Sequence, residues 1–248
     1  MPQVTHRALE VIGLKRMDYR DAAELQESLV ARCLDSEGRE NFLVLLEHPP
    51  VITIGRSGNA QEILARREVI ERQGVDVCDT NRGGRVTFHG PGQLVAYPVM
   101  DLQPLGRDLH RYLRGLEAWL IGLLDGYGIA AGANPPFTGV WVNGAKIASI
   151  GIAVRHWIAY HGVALNVSND LSFFDLIVPC GLTQVKMTSM RELMGSAPTL
   201  EEVACRAAET FCDSFGFPYD RAAGHGEELT TKSRRTRRQI STRTPGKE

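Results

Sequence analysis

Apolar residues recur along the chain at two spacings, and the switches between them mark the elements. Over residues 18–34, Tyr19, Ala22, Ala23, Gln26, Leu29, Val30 and Cys33 fall at helical spacing, which predicts an amphipathic helix with Asp18 at its N-cap. Residues 41–47 and 51–55 read as strands. They are separated by His48-Pro49-Pro50, where two successive prolines remove two backbone donors and interrupt any regular element. A short helix is expected at 66–72, an extended segment at 75–78 and a strand at 94–100. The clearest helical pattern spans 108–127, with Leu109, Tyr112, Leu113, Leu116, Leu120, Leu123, Leu124 and Tyr127 on one broad face and Gly128 placed to close its end. Val140-Trp141-Val142 and Ala145-Lys146-Ile147 flank Asn143-Gly144, a dipeptide that tolerates positive φ at both positions of a type I′ turn. Extended segments at 149–154 and 157–166 continue this meander around Arg155-His156. A last helix at 199–211 carries Leu200, Val203, Ala204, Ala207 and Phe211, with Thr199 and Glu202 spaced as a capping box. Helices toward both ends and hairpins between them, without regular strand–helix alternation, predict an α+β domain.

Composition refines this picture. A chain of 248 residues with 43% hydrophobic content can bury a full core, and residues 1–220 are expected to form one catalytic domain. From 221 to 248 aromatics vanish, and Lys232, Arg234, Arg235, Arg237, Arg238, Arg243 and Lys247 gather, so a disordered basic tail is expected. Lys and Arg number 28 against 29 Asp and Glu, which gives no global reason to expect nucleic acid or an anionic membrane as a partner. The most apolar stretch, 113–129, contains Glu117 and Asp125 and four glycines, the pattern of a core helix rather than a membrane span. The first ten residues lack the apolar run of a secretory signal, so a cytoplasmic location is expected. Five cysteines without a Cys-x-x-Cys pair argue against a disulfide framework and against structural zinc.

Candidate chemistry sits in three places. Residues 82–93, Arg-Gly-Gly-Arg-Val-Thr-Phe-His-Gly-Pro-Gly-Gln, hold four glycines whose missing Cβ atoms would allow either a ligand cradle or tight structural turns. The segment carries neither P-loop nor dinucleotide spacing. Cys180 lies between Pro179 and Gly181, a setting for a fixed, exposed sulfur, although free cysteines are commonly small buried hydrophobes. The other cysteines, Cys33, Cys78, Cys205 and Cys212, read as structural. Lys146 follows the Asn143-Gly144 turn among apolar neighbours; spacing alone favours a solvated strand-edge charge over a buried amine. His89, His156 and His161 could act as bases, but no metal-ligand spacing links them.

Taken together, these segments resemble the lipoyl(octanoyl) transferases of the LipB type, which share a catalytic fold with biotin and lipoate protein ligases. The resemblance rests on Arg82-Gly83-Gly84 through Thr87-Phe88-His89-Gly90-Pro91-Gly92-Gln93 and Tyr97, on Gly139-Val140-Trp141, Lys146-Ile147-Ala148 and Pro179-Cys180-Gly181, and upstream on residues 46–51 and Gly55-Arg56. It covers roughly residues 6–215. It implies a mixed or antiparallel sheet core with flanking helices, and transfer of an octanoyl group from octanoyl-acyl carrier protein to a lysine of lipoyl domains. The acceptors implied are the lipoyl domains of 2-oxo acid dehydrogenase complexes and the glycine cleavage H protein. By the resemblance Cys180 is the acyl-accepting nucleophile and Lys146 its activating partner. Arg82, Gly83, Gly84, Arg85, Val86, Thr87, Phe88, His89, Ser149, Ile150, Gly151, Gly162, Val163 and Ala164 would line the substrate site. Position 149 is often alanine in that family.

A thioester donor is already activated, so this chemistry implies no cofactor and no ATP, only a sulfur that a neighbouring ammonium makes more acidic. Ile147, Ile150, Val163 and Leu165 are expected as walls of an acyl tunnel, and amides of the glycine-rich segment and near Gly181 as oxyanion donors. Arg56, Arg82, Arg85 and Lys186 are the basic residues nearest the motifs that could meet an acidic carrier protein. Two readings stay open beside this one: an ATP-dependent lipoate or biotin ligase of the same fold, and a noncatalytic acyl-binding or lipoyl-domain-binding module.

Overall fold

Phe42, Leu43, Val44, Leu45 and Leu46 are consecutive and all buried, which requires cover on both faces of their strand. The computed structural model, which describes residues 7–179 and 185–218, shows that cover. The strands in chain order are β1 (Ala8–Arg16), β2 (Glu40–Glu47), β3 (Val51–Ile54), β4 (Asp76–Asp79), β5 (Val86–His89), β6 (Gln93–Asp101), β7 (Gly132–Asn134), β8 (Phe137–Val142), β9 (Ala145–Arg155) and β10 (Ile158–Asn166). Seven form a mixed sheet in the order β1-β2-β6-β10-β9-β8-β7, in which only β1 and β2 run parallel. A smaller sheet, β4-β3-β5, pairs β3 parallel to β4 and antiparallel to β5.

The helices are α1 (Tyr19–Asp35), α2 (Arg67–Arg72), α3 (Leu109–Asp125), α4 (Met190–Met194) and α5 (Leu200–Phe215). On one face of the large sheet, Phe42, Val44, Leu46, Val95 and Val99 pack with Ala22, Leu29, Val30 and Cys33 of α1. On the other, Leu43, Leu45, Leu94, Ala96 and Met100 meet Leu116, Leu120, Leu123 and Leu124 of α3 and Val203, Ala207 and Phe211 of α5. No helix of the described residues is long and apolar enough to cross a membrane.

Local signals explain the ends of several elements. Asn143 and Gly144 both take positive φ, 49° and 81°, as a type I′ turn requires. Thr199 and Glu202 form the reciprocal capping box of α5, with Glu202 N donating to Thr199 Oγ1 at 3.2 Å and Thr199 N to Glu202 Oε2 at 2.8 Å. Asp18 occupies the N-cap of α1 as expected, with no side-chain cap hydrogen bond. Two expectations need correction. Leu109, expected on the apolar face of α3, is exposed at its first turn. Residues 82–93, expected as a ligand cradle or tight turns, are not irregular throughout, because Val86–His89 is a wholly buried strand. The tail beyond 221 and Cys180 lie outside the described residues.

Candidate active site

Four elements bring the predicted chemistry together. Gly83 N donates to Ile152 O of β9 at 2.8 Å, while Gly55, Arg56 and Ser57 donate to the carbonyls of Arg85, Arg82 and Gly84. These approaches need glycine. A Cβ on Gly55 would lie 2.4 Å from Gly84 O, and one on Gly151 would lie 2.8 Å from Gly83 O. The segment is therefore a structural seam between the two sheets, and it also forms one wall of a cavity of about 260 Å³.

Apolar walls of that cavity come from Val86 of β5, Val95 of β6, Pro136 and Phe137, Ile150 of β9, and Val163 and Ala164 of β10. Polar groups facing it belong to Arg82, Thr87, His89, Tyr97, Lys146, Ser149 and His161. Of the residues assigned to the substrate site, Gly84, Arg85, Gly151 and Gly162 also line it, whereas Gly83 and Phe88 do not. Phe88 turns the other way and stacks on Phe173, with ring centroids 4.7 Å apart. Ile147 and Leu165, expected in the acyl wall, are fully buried in the core beneath α3 and α5. The cavity also contains Tyr19, Pro136, Phe137 and Thr138, which carried no sequence signal beyond apolar patterning.

Lys146 is buried at 2% exposure, contrary to the solvated reading that spacing favours. Its backbone is paired by a segment from far along the chain. Lys146 N donates to Lys186 O at 2.7 Å and Thr188 N returns to Lys146 O at 3.0 Å, so residues 186–188 seal that strand edge. The ammonium donates to Thr138 O at 3.1 Å and stands 5.4 Å from the centroid of the Trp141 ring.

Arg82 is equally unlike a surface arginine. Its guanidinium is buried and donates to Thr53 O and Oγ1 (2.8 Å each from Nη2), to Arg85 O (2.8 Å) and to Gly83 O (3.0 Å). Arg85 is held by Glu62 at 2.8 and 3.0 Å. Of the four basic residues considered for carrier contact, Arg82 is thereby removed by burial.

Two histidines, His89 and His161, lie near this cation, and His48 lies beyond His89 with ring centroids 5.7 Å apart; partners fix the protonation of all three. His48 Nδ1 meets Met17 O at 2.7 Å, so it carries the proton and Nε2 accepts from Tyr97 OH at 2.8 Å. His89 Nδ1 donates to Gln93 Oε1 at 2.8 Å, and the Gln93 amide continues to Asn166 Oδ1 at 2.9 Å. His161 Nε2 donates to Asn81 Oδ1 at 2.6 Å, leaving Nδ1 buried without a partner. Burial lowers His48 and His161 to about 4 each. His89 is lowered well below the usual histidine value, first by burial, then by His48 and Arg82. The cavity histidines are thus neutral hydrogen-bonding groups at neutral pH. His156 is exposed in the turn between β9 and β10. Among the described residues no group of three potential metal-binding side chains occurs.

The arrangement, a buried ammonium at one side of an apolar cavity with a glycine seam along another, is suited to acyl chemistry. The model of the lipoyl protein ligase A/B catalytic domain matches residues 18–212, which include every described residue assigned to the site. The chain belongs to this family. An octanoyltransferase of Solibacter usitatus is 49% identical over 204 residues, covering 82% of this chain and 91% of that protein. One from Caldicellulosiruptor saccharolyticus is 45% identical over 210 residues, covering 84% and 89%. By this likeness the lipoyl protein ligase A/B family member described here is an acyltransferase that groups with the octanoyltransferases. A bipartite lipoate protein ligase from Thermoplasma acidophilum, solved in a study that includes its E2 lipoyl domain, shares the fold with a TM-score of 0.65 at 16% identity, over 87% of this chain and 86% of that one.

Proposed function

We propose that this chain takes an octanoyl group from octanoyl-acyl carrier protein onto Cys180 and passes it to a lysine of a lipoyl domain in the cytoplasm, with Lys146 as acid–base partner. The acceptors would be lipoyl domains of 2-oxo acid dehydrogenase complexes and the glycine cleavage H protein. One observation carries this reading: the Lys146 ammonium is buried against an apolar cavity of about 260 Å³. That volume lies just below the roughly 300–1,000 Å³ of drug-sized ligand sites and suits one slender chain.

In the first half-reaction the Cys180 thiolate, paired with the Lys146 ammonium, attacks the thioester carbonyl, and the carrier thiolate leaves and takes the ammonium proton, so that Lys146 is left as a neutral amine. In the second, the acceptor amine attacks the acyl-enzyme, an amide bond forms, Cys180 leaves as thiolate, and Lys146 takes up the proton the amine loses. The described cysteines favour this assignment by contrast. Burial pushes the thiols of Cys33 and Cys212 up to about 11 and raises Cys78 and Cys205 as well, so each is less ready to ionise. Gly83 N is engaged by Ile152 O and is not an oxyanion donor.

Intact-mass measurement after incubation with octanoyl-acyl carrier protein, without nucleotide, tests the reading. The expected result is an octanoyl adduct that Cys180→Ser abolishes. Turnover only with ATP would instead indicate a ligase, and neither adduct nor turnover a binding module.

A further inference from the structure

Lys146 is held from behind. The Thr138 carbonyl that accepts from its ammonium belongs to the same peptide group as the Gly139 N–H, which donates to Glu117 Oε1 at 3.0 Å. Glu117 projects from α3, is 2% exposed, and has its other oxygen held by Arg114 one turn earlier. We propose that Glu117 is a positioning residue for Lys146, acting through the Thr138–Gly139 peptide. The inference rests on the catalytic reading of Lys146.

Three features support it. A carboxylate in the apolar face of α3 is costly to bury, and its partners account for both oxygens: Arg114 for one, the Gly139 N–H for the other. The peptide it grips is turned out of the strand ladder. The β8–β9 register is irregular between Val140 and Trp141, and Gly139, with φ of 129°, directs its N–H at the helix. Only glycine fits there, since a Cβ would lie 2.7 Å from Lys146 Cε and 2.6 Å from Ala148 O. A negative charge on the N–H side of a peptide also polarises its carbonyl, which strengthens that oxygen as an acceptor for an ammonium in a low-dielectric site. The carboxylate thus fixes both the plane of the peptide and the place of the Lys146 Nζ, which under the proposed mechanism must meet first one sulfur and then an amine.

Glu117→Gln keeps the oxygen acceptor and the shape while removing the charge, so it separates positioning from packing. Steady-state octanoyl transfer is expected to fall about tenfold in kcat, the scale of weakening one charge-assisted hydrogen bond, with KM within twofold. A thermal midpoint close to wild type would accompany it. The cycle with Lys146→Ala, and with Lys146→Arg so that one background retains a measurable rate, should be non-additive: once the native lysine is absent, E117Q should cost little more. Wild-type kcat in E117Q, or the same fold-loss in every background, overturns the positioning role while the catalytic reading of Lys146 stands. Wild-type rate in Lys146→Ala removes both.

Discussion

Acidification should unfold this protein through the histidines behind the cavity. A histidine normally titrating near 6.5 but held to about 4 in the folded state binds fewer protons folded than unfolded between those values. Its contribution to stability is therefore intact above about pH 6.5, declines as pH falls, and is fully lost below about 4. For His48 and His161 this displacement corresponds to about 3 kcal/mol each at full loss. At pH 5 linkage gives about 2 kcal/mol each, or about 4 kcal/mol together, a large share of the about 5–15 kcal/mol that holds a typical domain folded. Both groups are almost wholly buried, so solvent screening discounts these figures little. Carboxylates titrate over part of the same range, so the assay is a difference. Urea unfolding followed by tryptophan fluorescence would compare wild type with His161→Gln and His48→Gln at pH 8, 6.5, 5.5 and 5. Each variant removes one titrating group while an amide can still reach Asn81 Oδ1 or Met17 O. The stability gap between wild type and either variant should shift against wild type by about 2 kcal/mol from pH 8 to 5. A gap that stays constant with pH would refute the reasoning, because it would mean that the imidazoles protonate in the folded state as they do in the unfolded one.

Two further outcomes follow from the packing. In Gly162→Ala the new Cβ would stand 2.2 Å from Ala96 O and 2.6 Å from Pro98 Cδ, so β10 must move from β6, costing about 1–3 kcal/mol of unfolding free energy in urea; an unchanged midpoint would show the strands to be freer than they are drawn here. Arg82→Lys cannot reproduce the fork to Thr53, Gly83 and Arg85, so it should destabilise by about 2–4 kcal/mol and raise KM, while leaving the salt dependence of carrier-protein KM unchanged because this cation is buried; a flattened salt dependence would return Arg82 to the docking surface.

What could be read from the chain beforehand was local. The Asn143-Gly144 turn, the Thr199/Glu202 capping box and the leucine face of α3 each specify structure through neighbours a few residues away, and each is present. The strand β1 is not legible in the sequence, because it is a half-buried edge with Gly13 near its middle and an irregular register between Ile12 and Lys15, so it shows no clean alternation. The burial of Lys146 is not legible in local spacing, because the segment that pairs with its backbone, residues 186–188, lies far along the chain. Glu117 was visible only as a charge that argued against a membrane span. Its role depends on Gly139, which pairs with it only once α3 has packed on the sheet.

Two backbone irregularities of the large sheet, in β10 and in β8, lie beside the cavity and tie the fold to the site. The β10–β6 register runs to Ala159 opposite Met100 and resumes at Val163 opposite Ala96, which leaves His161 facing Pro98, a residue with no N–H to offer. Freed from the ladder, His161 takes a φ of 57°, sends its own N–H to Gln26 Oε1 of α1 at 2.7 Å, and turns its ring to the cavity; Gly162 fits there because it has no side chain. On β8 the Gly139 N–H leaves the ladder for Glu117 while the carbonyl of the same peptide serves Lys146. A proline or glycine inside a strand weakens pairing and is disfavoured unless something else uses the released groups. Here Pro98, Gly139 and Gly162 stand where strand pairing is interrupted beside the cavity and backbone N–H groups are diverted to helices α1 and α3, so the cost to the sheet and the placing of His161 and Lys146 have the same cause.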